Sequence, residues 1–317
     1  MIEWRYMMNG KIVILGAGHV GSHVASALAR DGVGSEIVLT DIVPGKAEAQ
    51  AMDIADSFVF SPGGPSVRAG TPADCADADV TVVAIGKPRE PGQTRLDLLH
   101  DSVLMAVELS RQMPKAGPDG CVISITNPCD IIADCLRKLL HMDRRRLFGT
   151  GTLLDTARLL RTLSRQTGTP ADRIRAVVLG EHGDSSMIPF SCVTVDGAAA
   201  RNVPQIDREA ALERTHMIGM DIIQGKGSTE FGIGRCAAYL IGNILEDTGA
   251  VLPLSVLLQG EYGLTGLHMG VPCEIGCGGV RRIVELPLTN DEKAALQRSA
   301  QVILKHIRLA DDIVAGL

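Results

Sequence analysis

The chain has 317 residues, long enough for two domains sharing an interface. Hydrophobic residues make up 45% of it and aromatics only 3%, so its core has to be built from Val, Ile, Leu, Ala and Met, which suits a parallel sheet buried under helices. With 31 basic against 37 acidic residues and a net charge of -6, there is no broad cationic surface for nucleic acid, and an anionic ligand has to be held by a few placed arginines.

In chain order, residues 11–15 read as a strand, 20–30 as a helix, 36–40 as a strand and 46–58 as a helix. Residues 80–85 and 121–125 read as further strands, with a helix over 95–112 between them. Repeated β-α-β units predict a doubly wound parallel sheet with right-handed crossovers. After Gly149 the rhythm changes to a helix over 154–166, a β-rich stretch over 173–195, helices over 206–224 and 235–245, and more strand pattern over 268–285. An amphipathic helix follows the cap signal Thr289-Asn290-Asp291-Glu292. The class is α/β, with residues 1–148 expected to form a nucleotide-binding domain and 149–317 an α+β substrate domain.

Eight cysteines stand singly, several inside apolar runs, and read as reduced small hydrophobes of a cytoplasmic protein. Cys273 and Cys277 lack further ligands at zinc spacing, so no metal site is expected. Residues 1–8 are too few and too polar for a signal peptide, and no apolar run reaches the roughly 18 residues of a membrane span, so no membrane partner is expected.

Gly16-Ala17-Gly18-His19-Val20-Gly21 directly follows a strand and opens a helix, the context in which G-x-G-x-x-G marks a Rossmann dinucleotide site. Gly16 permits the tight turn, Gly18 lets a pyrophosphate approach the backbone, and Gly21 lets helix pack on strand, with His19 and Val20 at the phosphate-facing helix start. Asp41 ends the second strand, where a carboxylate accepts from the adenine ribose hydroxyls and repels a 2′-phosphate, favouring NAD over NADP; alternatively it is a turn residue.

Further ordered segments follow: Gly86 through Arg95, Thr126-Asn127-Pro128, Gly149 through Arg158, Gly180-Glu181-His182-Gly183-Asp184 and Leu258 through Gly263. Together they resemble the lactate/malate dehydrogenase family, from about Lys11 to the last helix. The resemblance implies hydride transfer between NAD and the 2-carbon of a small 2-hydroxy or 2-oxo acid, in a homotetramer or homodimer. It also places Gly86 beside the cofactor and Thr229 at the substrate. An apolar face of the first helix at Val24, Ala27 and Leu28 is either part of the assembly or core.

His182 has the intrinsic pKa of a general acid and base near neutral pH, and Asp155 would orient it; a lone His in a β-rich segment is otherwise structural. Asp155 and Arg158 share a helix face, so Arg158 either forks onto the substrate carboxylate or merely pairs with Asp155. Arg95 lies where a Gly- and Pro-rich loop runs into a helix, and loop closure would bring it to the reacting carbonyl. Asn127 ends a strand, where it either hydrogen-bonds the substrate oxygen or nicotinamide region or caps the next helix.

Specificity signals conflict. Arg89 stands on the closing loop where enzymes of the resembled family that take oxaloacetate carry Arg and those that take pyruvate usually carry Gln. By contrast, Asp155-Thr156-Ala157-Arg158, Thr229 and Leu252-Pro253-Leu254-Ser255 resemble the lactate branch. Lactate is ranked first and malate second. Leu160 and Arg175 stand where fructose 1,6-bisphosphate-activated relatives carry Arg and His, so activation by that sugar is expected to be weak or absent. A non-catalytic NAD-binding protein is the alternative class, disfavoured because His182, Asp155, Arg95 and Arg158 are all present.

Overall fold

Consecutive Val, Ile and Leu residues suit a strand covered on both faces. The computed structural model, which describes residues 9–60, 64–87, 95–115 and 117–317, turns these runs into the centre of the molecule. In the first half the order is β1 (Lys11–Leu15), α1 (His19–Asp31), β2 (Glu36–Thr40), α2 (Lys46–Asp56), β3 (Ser66–Ala69), β4 (Val80–Val83), α3 (Arg95–Gln112), β5 (Cys121–Ser124), α4 (Cys129–Leu139) and β6 (Leu147–Gly149). The second half continues with α5 (Leu153–Thr167), β7 (Ile174–Arg175), β8 (Thr194–Val195), β9 (Ala198–Ala199), α6 (Arg208–Lys226), α7 (Phe231–Leu245), β10 (Val251–Gln259), β11 (Thr265–Gly276), β12 (Gly279–Ile283) and α8 (Asn290–Ala315).

Both halves share one nine-stranded sheet in the order β12-β11-β10-β6-β5-β4-β1-β2-β3. From β6 to β3 every pairing is parallel, as the repeated β-α-β units predict. The strand order reverses between β1 and β4, the switch point where such sheets open a crevice at their carboxyl ends. The antiparallel set β10-β11-β12 joins through Ser255 opposite Gly149. Gly151 (φ 50°) completes this seam, because a Cβ there would lie 2.4 Å from the Ser255 backbone nitrogen.

Several elements differ from the sequence expectation. The stretch 173–195 is not β-rich: β7 and β8 hold two residues each, and the chain between them is mostly turn and irregular backbone. Its polar groups are satisfied from elsewhere, with the Asp130 carboxylate accepting from the His182 N–H and Ser299 Oγ from the Glu181 N–H. β3 and β10 were not anticipated as elements, and α4 only as the helix that Asn127 would cap. β10 is buried from Leu252 to Leu258, so it shows no alternation, and it carries Pro253. α7 begins at Phe231 rather than 235. Val24, Ala27 and Leu28 are buried in the chain's own core, so that face of α1 is not an outer surface. The α8 cap is a full capping box between Thr289 and Glu292.

Candidate active site

The glycine loop sits at the switch point. Gly16 (φ 106°) lies so close to β4 that a Cβ would come 2.5 Å from the Ala84 carbonyl oxygen, and a Cβ on Gly21 would come 1.8 Å from the Gly16 oxygen. A Cβ on Gly18, the N-cap of α1, would by contrast meet only the tip of Lys46, at 4.0 Å, and the first turn of α1 carries no acidic side chain. His19 is exposed and Val20 half-buried at the start of that helix. Asp41 accepts from the Ala17 N–H (2.9 Å) and the Val43 N–H (2.9 Å), and Lys46 Nζ lies 3.3 Å away. It is therefore a turn residue as well as a carboxylate beside the loop. Thr126 Oγ1 donates to the Ile85 carbonyl (2.8 Å), tying the end of β5 to the end of β4 and bringing Asn127 alongside Gly86. Asn127 is exposed and does not cap α4, whose N-cap is Pro128.

Across the crevice, α5 delivers Asp155 and Arg158 one turn apart. Asp155 is nine-tenths buried at the side chain and shares itself: Oδ2 lies 2.6 Å from His182 Nδ1, and Oδ1 accepts from Arg158 at 3.0 Å. The intrahelical pair offered as the alternative for Arg158 is thus formed, and the same carboxylate also grips the imidazole. Burial pushes the Asp155 carboxyl up, but His182 and Arg158 outweigh it and hold it below the ordinary carboxylate value. The Asp155 charge raises His182 to about 9 against the opposing effect of burial, with help from Asp130. His182 Nε2 has no partner among the described residues.

The Arg158 guanidinium lies against α6, where a Cβ on Gly219 would sit 3.4 Å from both terminal nitrogens. The turn between α6 and α7 holds Thr229, half-buried, and packs beside the start of α5, since a Cβ on Gly232 would come 3.0 Å from Leu154. Arg89 and the side chain of Arg95 lie outside the described residues; the Arg95 backbone opens α3.

Sequence reasoning missed two neighbours of this constellation, Asp130 and Gly219. Asp130, 2% exposed, accepts from the His182 N–H (2.8 Å) and from Ser255 Oγ (2.5 Å). Gly219 forms the wall behind Arg158. The only local signal for Asp130 is its place in the first turn of a helix that follows the Asn127-Pro128 strand end.

A crevice for a dinucleotide facing a carboxylate-held imidazole is the layout of a dehydrogenase. Family models agree with it over nearly the whole chain: the lactate/malate dehydrogenase NAD binding domain matches residues 10–149 and the corresponding alpha/beta C-terminal domain matches residues 152–314. The chain belongs to the lactate/malate dehydrogenase family. It is 38% identical over 311 residues to the L-lactate dehydrogenase of Fusobacterium nucleatum, covering 96% of this chain and 98% of that one. The crystal structure of minor L-lactate dehydrogenase from Enterococcus mundtii matches with a TM-score of 0.92 at 31% identity, covering 95% and 98% of the two chains. That of Cryptosporidium parvum malate dehydrogenase matches with a TM-score of 0.90 at 26% identity, covering 96% and 100%.

Proposed function

We propose that the protein is an NAD-dependent L-2-hydroxy acid dehydrogenase whose preferred pair is pyruvate and L-lactate. The carrying observation is Asp155 bridging His182 and Arg158, which sets a proton donor and a carboxylate-binding fork side by side.

The residues at the switch point fit NAD. Gly16 and Gly21 allow the close turn, Gly18 has only the flexible tip of Lys46 near its face, and the α1 start keeps its positive end free of acidic side chains. Asp41 has two carboxylate oxygens with about four acceptor positions, of which two backbone donors and Lys46 use three, so one remains for a ribose hydroxyl. Bound NADH supplies the hydride. Asn127 and Gly86, brought together at the strand ends, are assigned to the nicotinamide side, with His19 and Val20 near the phosphates.

In this reading, Arg158 takes the substrate carboxylate on the guanidinium edge not used by Asp155, which fixes the 2-carbon. Nδ1 of His182 is committed to Asp155, so Nε2 carries the proton delivered to the carbonyl oxygen, and the resulting neutral imidazole takes it back in the reverse direction. Arg95 is assigned to the developing oxyanion and Thr229 to the substrate wall. The division of labour follows the chain: residues before 149 hold the cofactor, and those after it supply acid and fork. Leu160 packs against the apolar cluster of Leu159, Leu163, Ile174 and Val178 and offers no phosphate donor, in keeping with weak or absent activation by fructose 1,6-bisphosphate. Assembly as a homodimer or homotetramer is supported by exposed apolar side chains at Ile42, Met52, Phe60, Phe231 and Tyr239. The eight free thiols, five of them buried, suit a reducing cytoplasm. Among the described residues no helix is long and apolar enough to cross a membrane.

Malate dehydrogenase is the second reading, favoured by Arg89, which would pair with the second carboxylate of oxaloacetate. Steady-state NADH oxidation with pyruvate and with oxaloacetate separates the two. Pyruvate is expected to give the higher kcat/KM, and a preference for oxaloacetate of about 100-fold or more would reverse the order. Because His182 keeps its proton up to about 9, pyruvate reduction should hold through neutral pH and fall as pH rises through that value.

A further inference from the structure

We propose that the cleft between α5 and α6 is a regulatory site for inorganic phosphate, in which Arg161, Arg165 and Arg214 hold the ion and Gln166 reads its proton. The site itself is independent of the function proposed above; its effect on turnover rests on Arg158 being the substrate fork.

α5 carries Arg158, Arg161 and Arg165 at intervals of three and four, so all three leave one side of the helix. Beyond Arg158 this side opens into a cleft of about 270 Å³ lined by Arg161, Thr162, Arg165, Gln166, Arg214 and Ile218, the last two from α6. That is below the roughly 300 Å³ at which sites for drug-sized ligands begin, and it suits a small ion. Pairing does not account for these arginines. Arg214 meets Asp221 through one guanidinium nitrogen and keeps its other donors. Among the described residues Arg161 and Arg165 meet no carboxylate, although like charges four apart on a helix repel. Arg165 stands in the last turn of α5, where a cation is favoured by the helix end, but Arg161 stands one turn earlier and has no such reason to be there.

The rest of the lining narrows the choice of anion. Thr162 Oγ1 already donates to the Arg158 carbonyl (2.9 Å). Gln166 donates from Nε2 to the Asp207 carbonyl at the start of α6 (3.1 Å), while its Oε1 is buried with no partner among the described residues. Guanidinium groups beside one buried acceptor ask for an anion that also carries a hydrogen-bond donor. Hydrogenphosphate is such an ion, with bare oxygens for the arginine forks and a hydroxyl for Gln166. Sulfate has the oxygens without the hydroxyl. The place is also distinct from the two positions at which sugar-bisphosphate-activated relatives carry their phosphate ligands, since neither Leu160 nor Arg175 lines this cleft.

The effect of the ion follows from its neighbours. Ile218 is followed by Gly219, whose missing side chain lets α6 stand against the Arg158 guanidinium. On the same helix, His216 Nε2 lies 2.8 Å from Ser186 Oγ, four residues after His182. α6 thus touches both the fork and the loop of the acid, and α5 carries the fork itself. An ion gripped by Arg161 and Arg165 on one helix and by Arg214 on the other fixes the spacing of the two, and with it the seat of Arg158. Phosphate therefore lowers the KM for pyruvate with little change in kcat, and by linkage a bound substrate carboxylate tightens phosphate by the same factor.

Isothermal titration calorimetry of the full chain with inorganic phosphate at pH 8 tests the site, with ionic strength held constant by chloride and NADH present to occupy the glycine loop. Steady-state kinetics with pyruvate in the same buffers test the effect. The wild type is expected to bind phosphate with a Kd of about 1 mM, and sulfate and methyl phosphate, which carry no proton at that pH, about 10-fold more weakly. Arg161→Gln combined with Arg165→Gln, both exposed side chains, should abolish phosphate binding. Saturating phosphate should lower the wild-type KM for pyruvate by about 5-fold with kcat within about 2-fold, and should leave the KM of the double variant unchanged. Oxamate, a pyruvate analogue that accepts no hydride, should tighten phosphate by the same factor of about 5. No phosphate binding by the wild type, binding kept by the double variant, or sulfate or methyl phosphate binding as tightly as phosphate overturns the site. The comparison of the three anions on the wild type carries the test alone if the double variant does not fold. Phosphate bound at these arginines with an unchanged KM for pyruvate overturns the regulatory role. A protein that reduces neither pyruvate nor oxaloacetate refutes the function proposed above and that role with it, whereas the calorimetric arm still decides the site.

Discussion

Among the described residues two histidine-aspartate pairs are built from the same chemistry with opposite outcomes. His182 lies 2.6 Å from Asp155 and His268 lies 3.1 Å from Asp134. The first imidazole is raised to about 9, chiefly by the charge of its aspartate, whereas burial holds the second below the ordinary histidine value. Company explains the difference. Asp134 is already neutralised by Lys138 at 2.8 Å, which also reaches Asp311, and Arg137 stands 3.9 Å away. His268 is fully buried on β11, and its Nε2 has no hydrogen-bond partner among the described residues. Asp155 faces one arginine, Asp130 adds a second negative charge, and the His182 side chain remains 25% exposed toward the crevice. An aspartate beside a histidine is therefore no functional mark in itself. The remaining charges and the access of the far ring nitrogen decide whether it can move a proton.

The contrast breaks first if His182 proves dispensable. Replacing it by Gln removes the proposed proton carrier while keeping a hydrogen-bonding side chain of similar reach. A fall in kcat/KM for pyruvate of about 10²- to 10⁴-fold is expected. Stopped-flow or steady-state NADH oxidation reads this directly, and a loss of less than about 10-fold would make His182 another structural histidine.

A smaller effect sharpens the role of Arg158, the cation that Asp155 does share. Gly219→Ala on α6 would press a methyl within 3.4 Å of both guanidinium nitrogens. The fork must then shift by a few tenths of an ångström, and KM for pyruvate should rise by about 10-fold while kcat stays within about 2-fold. A change in kcat with KM untouched would mean that this face of Arg158 does not meet the substrate.

How much of this could be read beforehand depended on whether the information was local. Gly16, Gly18 and Gly21 announce the loop because turn, phosphate approach and helix packing all lie within six residues, and α3 runs from Arg95 to Gln112 as its pattern predicts. His182, Asp155 and Arg158 were legible through ordered motifs rather than through pairing, which depends on a contact spanning 27 residues. Asp130 went unread beside Asn127, although it ends in the same constellation, because its partners lie 52 and 125 residues away. β10 escaped for a different physical reason. Its apolar run is like those of β1 and β4, but Pro253 within it reads as a breaker. His268 gave no sign of its aspartate, since the two stand 134 residues apart.

The smallest predicted effect concerns that second pair. His268→Leu removes a buried ring whose Nε2 is unpaired and leaves Asp134 with Lys138 and Arg137, so stability near pH 8 should change by no more than about 1 kcal/mol. Below the ordinary histidine pKa the sign is definite. There the unfolded chain binds a proton at position 268 that the folded protein refuses, so the wild type loses stability as pH falls through about 6.5. His182 works in the opposite sense: its folded value is raised, so its contribution is full below about 6.5 and is lost as pH rises through about 9. Thermal melts from pH 5 to 9.5 should therefore show His268→Leu losing less stability than wild type on the acid side and the same amount on the alkaline side. Parallel curves throughout would mean that His268 titrates alike in the folded and unfolded chain, and a wild type that loses less than His268→Leu on the acid side and more on the alkaline side would mean that Asp134 serves it as Asp155 serves His182.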